Sequence, residues 1–204
     1  PLYTPYGSSG GSAVSVAASF GAAALGTDTN SSVRVPASAA NLVGIRPTVG
    51  LVSTTGVIPY DITRDTVGVL SKTVSDNALL LSIIDSSTVE YNTKDTSLKG
   101  KKIGVINTFL KGSSNSSLKA NSLTNDEIYN MILTSIEKMK NNGAEVIYID
   151  DFFTNYYYYL WSSSLGGFTF CDGFNDYIKN TTGSVRSFND LVKSNHKTYS
   201  LSGY

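Results

Sequence analysis

Two short turns carry the residues whose types and spacing could do chemistry. The first is Gly7-Ser8-Ser9-Gly10-Gly11 and the second is Asp28-Thr29-Asn30-Ser31-Ser32, and a run of small apolar residues joins them. Two serine-bearing turns on one compact helix-then-strand segment suit a site that needs two hydroxyls close together. The plain alternative is a flexible Gly/Ser tether, but Ala13 to Leu25 is far too apolar for a solvated one. A serine hydroxyl also needs a base to become a good nucleophile. The single histidine, His196, lies in the polar segment Lys193 to Lys197 and reads as a surface helix end, which disfavours Ser-His-Asp chemistry. The single cysteine, Cys171, offers neither a disulfide framework nor metal-ligand spacing and is expected to pack as a small apolar side chain.

The composition narrows the rest. With 204 residues the chain can bury a sizeable core, and 41% apolar with 16% charged residues fits a soluble globular protein. Sixteen basic and 16 acidic residues balance, so nothing points to a nucleic-acid surface or a polybasic membrane patch. No signal peptide or membrane span is visible.

The elements that must position the two turns follow from pattern. Gly10 to Ala24 reads as a helix of small residues with N–H groups exposed at its Gly-rich start. Ala22 to Thr27 reads as a short buried strand that delivers the second turn. Pro36 to Leu42 starts another short helix, and Gly44 to Pro59 follows as loop and short strands. Thr73 to Ile84 is an amphipathic helix with Thr73 as cap and Val74, Ala78, Leu81 and Ile84 on its apolar face. Lys101 to Ile106 is a strand, Lys111 to Ser122 a polar loop, Asn125 to Asn141 a helix closed by Asn142-Gly143, and Glu145 to Ile149 the next strand. Strand, helix, strand implies a parallel unit. The expected fold class is therefore α/β, with a mixed, largely parallel central sheet covered by helices on both faces. The aromatic run Tyr156 to Trp161 is expected to be a partly buried helix, and Phe174 to Lys179 and Ser187 to Ser194 two more helices.

Tyr6 to Pro36 resembles the amidase signature of Ser-Ser-Lys amide hydrolases, which runs G-G-S-S-G-G, a small-residue helix, then G-T-D-x-G-G-S-x-R-x-P. Gly44 to Gly50 is similar to that family's G-L-R-P-T-x-G element, and Asp65 to Gly68 to its D-T-x-G. The resemblance is strong over residues 6–85 and looser over 100–197. It implies that Ser32 is the nucleophile and Ser8 the cis-serine that relays protons, 24 positions apart, with a cis peptide at Gly7–Ser8. It further implies an oxyanion hole from the backbone N–H groups of Thr29, Asn30, Ser31 and Ser32, with Ser9, Asp28 and Arg34 as structural support, and neither cofactor nor metal. Two departures stand out. Tyr6 replaces the first glycine, and Asn30-Ser31 replace Gly-Gly. Asn is the non-glycine residue that best tolerates a left-handed backbone, which would let the turn survive.

The resemblance also implies that residues 1–204 form part of a single amidase domain, with 1–97 as the signature core and 98–204 as an α/β and helical continuation. The family's base is a lysine before the Gly/Ser turn, whereas the first lysine here is Lys72, which reads as solvated. The chain is accordingly expected to be an internal fragment that is inactive alone. Implied partners are a small-molecule amide substrate, no nucleic acid and no membrane, in a cytoplasmic setting, with a homo-oligomer compatible. Gly56 to Thr66 looks most like members acting on aryl-acetamide-type substrates. Two other readings stay open: the glutaminase-type component of a tRNA-dependent amidotransferase, and a catalytically inactive amidase-like protein.

Overall fold

The computed structural model describes residues 4–85, 87, 89–91, 93–94, 97–110, 125–150 and 166–194. The expected polar loop 111–122, the aromatic run 156–161 and His196 lie outside them. The chain forms two compact units, one of residues 1–93 with 163–204 and the other of 94–162.

In the first unit, β1 (Ala23–Asp28), β2 (Val43–Ile45) and β3 (Thr66–Ser71) form an antiparallel sheet with β3 in the middle. Successive side chains of a strand point to opposite faces, so Leu70 and Val69, both fully buried, serve two different layers. Leu70 meets Ala13 of α1 (Gly10–Ala17), Val33, and Ala37 of α2 (Arg34–Ala39). Val69 meets Val52 and Leu81 of α3 (Val74–Ile84). Small residues bring α1 and α2 down onto the sheet. A Cβ on Gly26 would lie 2.5 Å from Ser9 Oγ, and one on Gly44 would collide with Ala37 Cβ. Ser12 Oγ donates to Leu25 O at 2.9 Å and Ser9 Oγ to Thr27 O at 3.2 Å, so two hydroxyls satisfy carbonyls of the outer strand β1.

Two expected boundaries and one expected core position move, for local reasons. The helix expected to reach Ala24 stops at Ala17, because Ser19 turns left-handed at φ 63. Phe20 N then donates to Ser15 O and Ser19 N to Val16 O, the paired bonds of a Schellman C-cap with serine where glycine is usual. α2 begins at Arg34, two residues before Pro36, and the proline is accommodated in the first turn. On α3, Val74 is exposed, and buried Asn77 takes the core position instead. Its Nδ2 donates to Val43 O at 3.1 Å and Val69 O at 3.2 Å, so a polar residue sits inward where apolar spacing alone pointed elsewhere. The Thr73 cap forms as expected, accepting from Asp76 N at 3.1 Å.

The second unit holds β4 (Lys102–Ile106), the short helix α4 (Asn107–Leu110), α5 (Asn125–Asn141) and β5 (Glu145–Ile149). β4 and β5 pair in parallel, Lys102 opposite Glu145 through Ile106 opposite Ile149. Parallel neighbours need a long crossover, which α5 supplies. Asp126 and Glu127 in its first turn and Lys138 and Lys140 in its last complement the helix dipole. The α/β class holds, with the parallel pairing in this unit and antiparallel pairing around the two turns.

Returning to the first unit, α6 (Gly166–Ile178) and α7 (Phe188–Lys193) follow. Phe174 and Ile178 are buried, and Phe170, Phe174 and Phe188 form a ring cluster with centroids 5.6–6.1 Å apart. Phe170, Phe174 and Ile178 recur every four residues along one helical stripe. Cys171 falls off that stripe and is exposed, contrary to the packed position expected for it. No helix among the described residues is long and apolar enough to cross a membrane.

Candidate active site

The second turn is built around a carboxylate. Asp28, the last residue of β1, is fully buried. Its Oδ2 accepts Val33 N at 3.1 Å, Arg34 N at 3.4 Å and Arg34 Nε at 3.2 Å, while Oδ1 accepts Arg34 Nη2 at 3.3 Å. Arg46 Nε adds an ion pair at 3.4 Å. Burial pushes the Asp28 carboxyl up, but the Arg34 hydrogen bond, the Val33 N–H and the Arg34 charge outweigh it and hold the group below its ordinary range. The chain from Thr29 to Ser32 must therefore loop around a fixed anion and return to its start. Arg34 Nη2 also donates to Asn30 O, closing the loop from outside.

The first turn is fastened to this one through the main chain. Ser9 N donates to Ser32 O at 3.1 Å, and buried Ser9 stands between α1 and β1 through its Thr27 bond. Ser8 and Ser32 are thus carried by two segments joined at that bond. Ser8 is exposed and Ser32 half-buried. The Gly7–Ser8 peptide is cis, where the resemblance places it. Tyr6, standing at a glycine position of the family pattern, takes a left-handed φ of 59.

Thr29 and Ser31 are half-buried and Asn30 exposed. Among the described residues, left-handed non-glycine backbone occurs at Tyr6, Ser19 and Asn41 and not at Asn30. The turn keeps its shape without the conformation that glycine or asparagine was expected to supply. Thr29 Oγ1 donates to Asp65 Oδ1 at 2.5 Å, and Asp65 Oδ2 accepts Tyr60 N at 2.6 Å and Asp61 N at 2.9 Å. Asp65 and Arg46 both lie inside recognisable motifs, yet no role attaches to either from sequence. Their partners are 36 and 18 positions away, and only the fold brings them together.

Lys72 is exposed and donates to Ser19 Oγ at 2.6 Å, at the C-terminal end of α1. Among the described residues no group of three His, Cys, Asp or Glu side chains is placed to hold a metal ion. In the same unit a cavity of about 540 Å³ opens on the α3 side of the sheet, lined by Leu25, Thr27, Val52, Val67 and Ile84.

A family model described as Amidase matches residues 1–195. The A component of glutamyl-tRNA(Gln) amidotransferase from Latilactobacillus sakei is 41% identical over 154 residues, covering 70% of this chain and 30% of that protein. Its counterpart in Clostridium botulinum is 37% identical over 172 residues, covering 76% and 33%. The chain thus spans about a third of the length of these curated relatives. Among solved structures, it is similar to the native peptide amidase of Stenotrophomonas maltophilia, with TM-score 0.73 and 28% identity over 93% of this chain and 39% of that one. It is also similar to the A component of glutamyl-tRNA(Gln) amidotransferase from Thermotoga maritima, with TM-score 0.62, 26% identity, and 93% and 40% coverage.

Proposed function

The chain belongs to the amidase family, and from that premise we propose that it is the serine-bearing part of an enzyme that hydrolyses amide C–N bonds. The observation that carries this reading is the 3.1 Å bond from Ser9 N to Ser32 O, which fastens the turn bearing Ser8 to the turn bearing Ser32. An amide carbonyl is a poor electrophile, so attack needs an activated hydroxyl and a stabilised oxyanion. In this reading Ser32 Oγ attacks the carbonyl carbon while its proton passes to Ser8, whose own proton goes to a lysine base. Ser8 then protonates the departing amine, the C–N bond breaks, and an acyl-Ser32 ester remains for water to hydrolyse. Lys72 is not that base, since it is exposed and engaged with Ser19.

The N–H groups of Thr29, Asn30, Ser31 and Ser32 are the oxyanion donors of this reading. Among the described residues no protein acceptor takes the N–H of Asn30, Ser31 or Ser32, which supports that role. Asp28, Arg34 and Ser9 hold the turns in shape and stay off the substrate. The same reading treats residues 1–204 as part of one amidase domain, acting on a small-molecule amide in the cytoplasm.

A second reading is favoured by the names of the curated relatives: a glutaminase-type component that releases ammonia from glutamine for a tRNA-dependent amidotransferase. Stable co-purification of the full-length protein with partner proteins supports it, and a protein that purifies and hydrolyses amides alone excludes it.

The deciding experiment labels the full-length protein with a fluorophosphonate probe, beside Ser32→Ala. Labelling in the wild type that vanishes in the variant is expected. A folded wild type that does not label overturns the hydrolase reading in favour of a catalytically inactive relative.

A further inference from the structure

We propose that Asp65 is a positioning residue for the Thr29–Ser32 turn, an inference that rests on the oxyanion role given to that turn above. A carboxylate is acceptor-only, and both Asp65 oxygens are committed. One takes the Thr29 hydroxyl at 2.5 Å, and the other takes Tyr60 N at 2.6 Å and Asp61 N at 2.9 Å.

The loop that carries Asp65 is itself braced. Arg64 N and Asp65 N donate to Asp61 O at 2.9 and 2.8 Å, and Thr63 N and Oγ1 donate to Asp61 Oδ1 at 3.0 and 2.6 Å. Arg46 then closes a ring. Its Nη2 donates to Arg64 O at 2.7 Å, and its Nε pairs with Asp28 Oδ1 at 3.4 Å. The path from Asp28 through Arg46, Arg64, Asp65 and Thr29 returns to Asp28 across one peptide bond.

The turn is therefore held from two sides. Asp28 gathers its C-terminal end through Val33 and Arg34, and Asp65 fixes its first residue. Oxyanion donors contribute in proportion to how well they are aimed before the reaction begins. Asn30-Ser31 stand where the family pattern has Gly-Gly, so the orientation of the donors rests on such side-chain ties. Asp65 touches no reacting atom. It acts through Thr29.

The test uses the full-length protein and two readouts. Thr29→Val keeps shape and leaves the Tyr60 and Asp61 bonds to Asp65 intact, whereas Thr29→Ser keeps the hydroxyl. Thr29→Val and Asp65→Ala are each expected to lower the maximal rate of fluorophosphonate labelling at Ser32 about 10- to 100-fold, less than the roughly 100- to 1000-fold that losing an oxyanion donor outright costs. The half-saturating probe concentration stays unchanged, and Thr29→Ser stays within about threefold of wild type. The double variant should be no worse than the more damaged single one, as expected of residues acting through one bond. The second readout needs no activity: backbone hydrogen exchange at Ser9, Val33 and Arg34, whose N–H groups are bonded to Ser32 O and Asp28 Oδ2 across the turn, speeds up in Thr29→Val and keeps the wild-type rate in Thr29→Ser. Thr29→Val that labels and exchanges like wild type overturns the proposal. A wild type that fails to label sinks the reading of Ser32 as nucleophile, while hydrogen exchange still decides whether Asp65 holds the turn.

Discussion

The Asp28 clamp and the charged surface of the β4–α5–β5 unit both pair carboxylates with cations, to different ends. Asp28 is fully buried and meets two arginines and two backbone N–H groups, all of which define one path for the chain around it. Lys102 and Glu145 face each other across the parallel ladder at 3.8 Å, with side chains 71% and 60% exposed. Lys140 and Glu137 pair along α5 at 2.6 Å. Water can replace either surface partner at small cost, so those pairs hold nothing in place. Asp28 cannot be rehydrated without opening the turn. Ion pairing shapes a site when the carboxylate is buried and its partners include the backbone.

That contrast is broken most sharply by Asp28→Asn. It removes the charge from a buried centre while leaving two arginines aimed at it, and the expected loss of stability is about 3 kcal/mol, the lower end for a broken buried pair. The lower end applies because Arg34 is 47% exposed and can be solvated. Urea unfolding measures it, and a loss below about 1 kcal/mol would mean that the clamp is not what holds the turn. The pH dependence has a fixed sign. The folded Asp28 carboxyl lies below the ordinary 3.8, so its contribution is complete above that value and is lost as pH falls through the depressed one. The gap between wild type and Asp28→Asn should narrow in acid and stay constant from about pH 5 to 8.

A neutral bond of the same unit sharpens the comparison at smaller scale. Thr73 accepts a single N–H at the exposed start of α3, and Thr73→Ala should cost about 1 kcal/mol in the same urea experiment. The smallest effect belongs to the surface pair: Lys102→Ala should leave the urea midpoint unchanged within error, and added salt should not distinguish it from wild type.

Three helix ends show what sequence can and cannot announce. α5 closes on Gly143 at φ 95, with Ala144 N bonded to Met139 O and Gly143 N to Lys140 O. α2 closes on Asn41 at φ 55, with Leu42 N on Ala37 O and Asn41 N on Ser38 O. α1 closes in the same way on Ser19. Glycine advertises the left-handed residue because it adopts that backbone freely, and the end of α5 is legible for that reason. Serine gives no such signal, so small apolar residues beyond Ser19 read as more helix than the fold contains. Ser19 is the residue Lys72 reaches, a contact 53 positions away in sequence.

What the sequence determined by itself was the local chemistry: two serine-bearing turns at fixed spacing, the small residues that let helices approach a sheet, the Thr73 cap and the parallel β4–β5 unit. Each depends on residues near one another in the chain, where backbone preference and side-chain size act directly. Tertiary structure alone decided which distant groups complete the turn. Arg46, Asp65 and the main-chain bond from Ser9 to Ser32 join it only once β3 lies between β1 and β2. A hydrogen bond is satisfied by any donor and acceptor brought into register, and register is a property of the folded sheet.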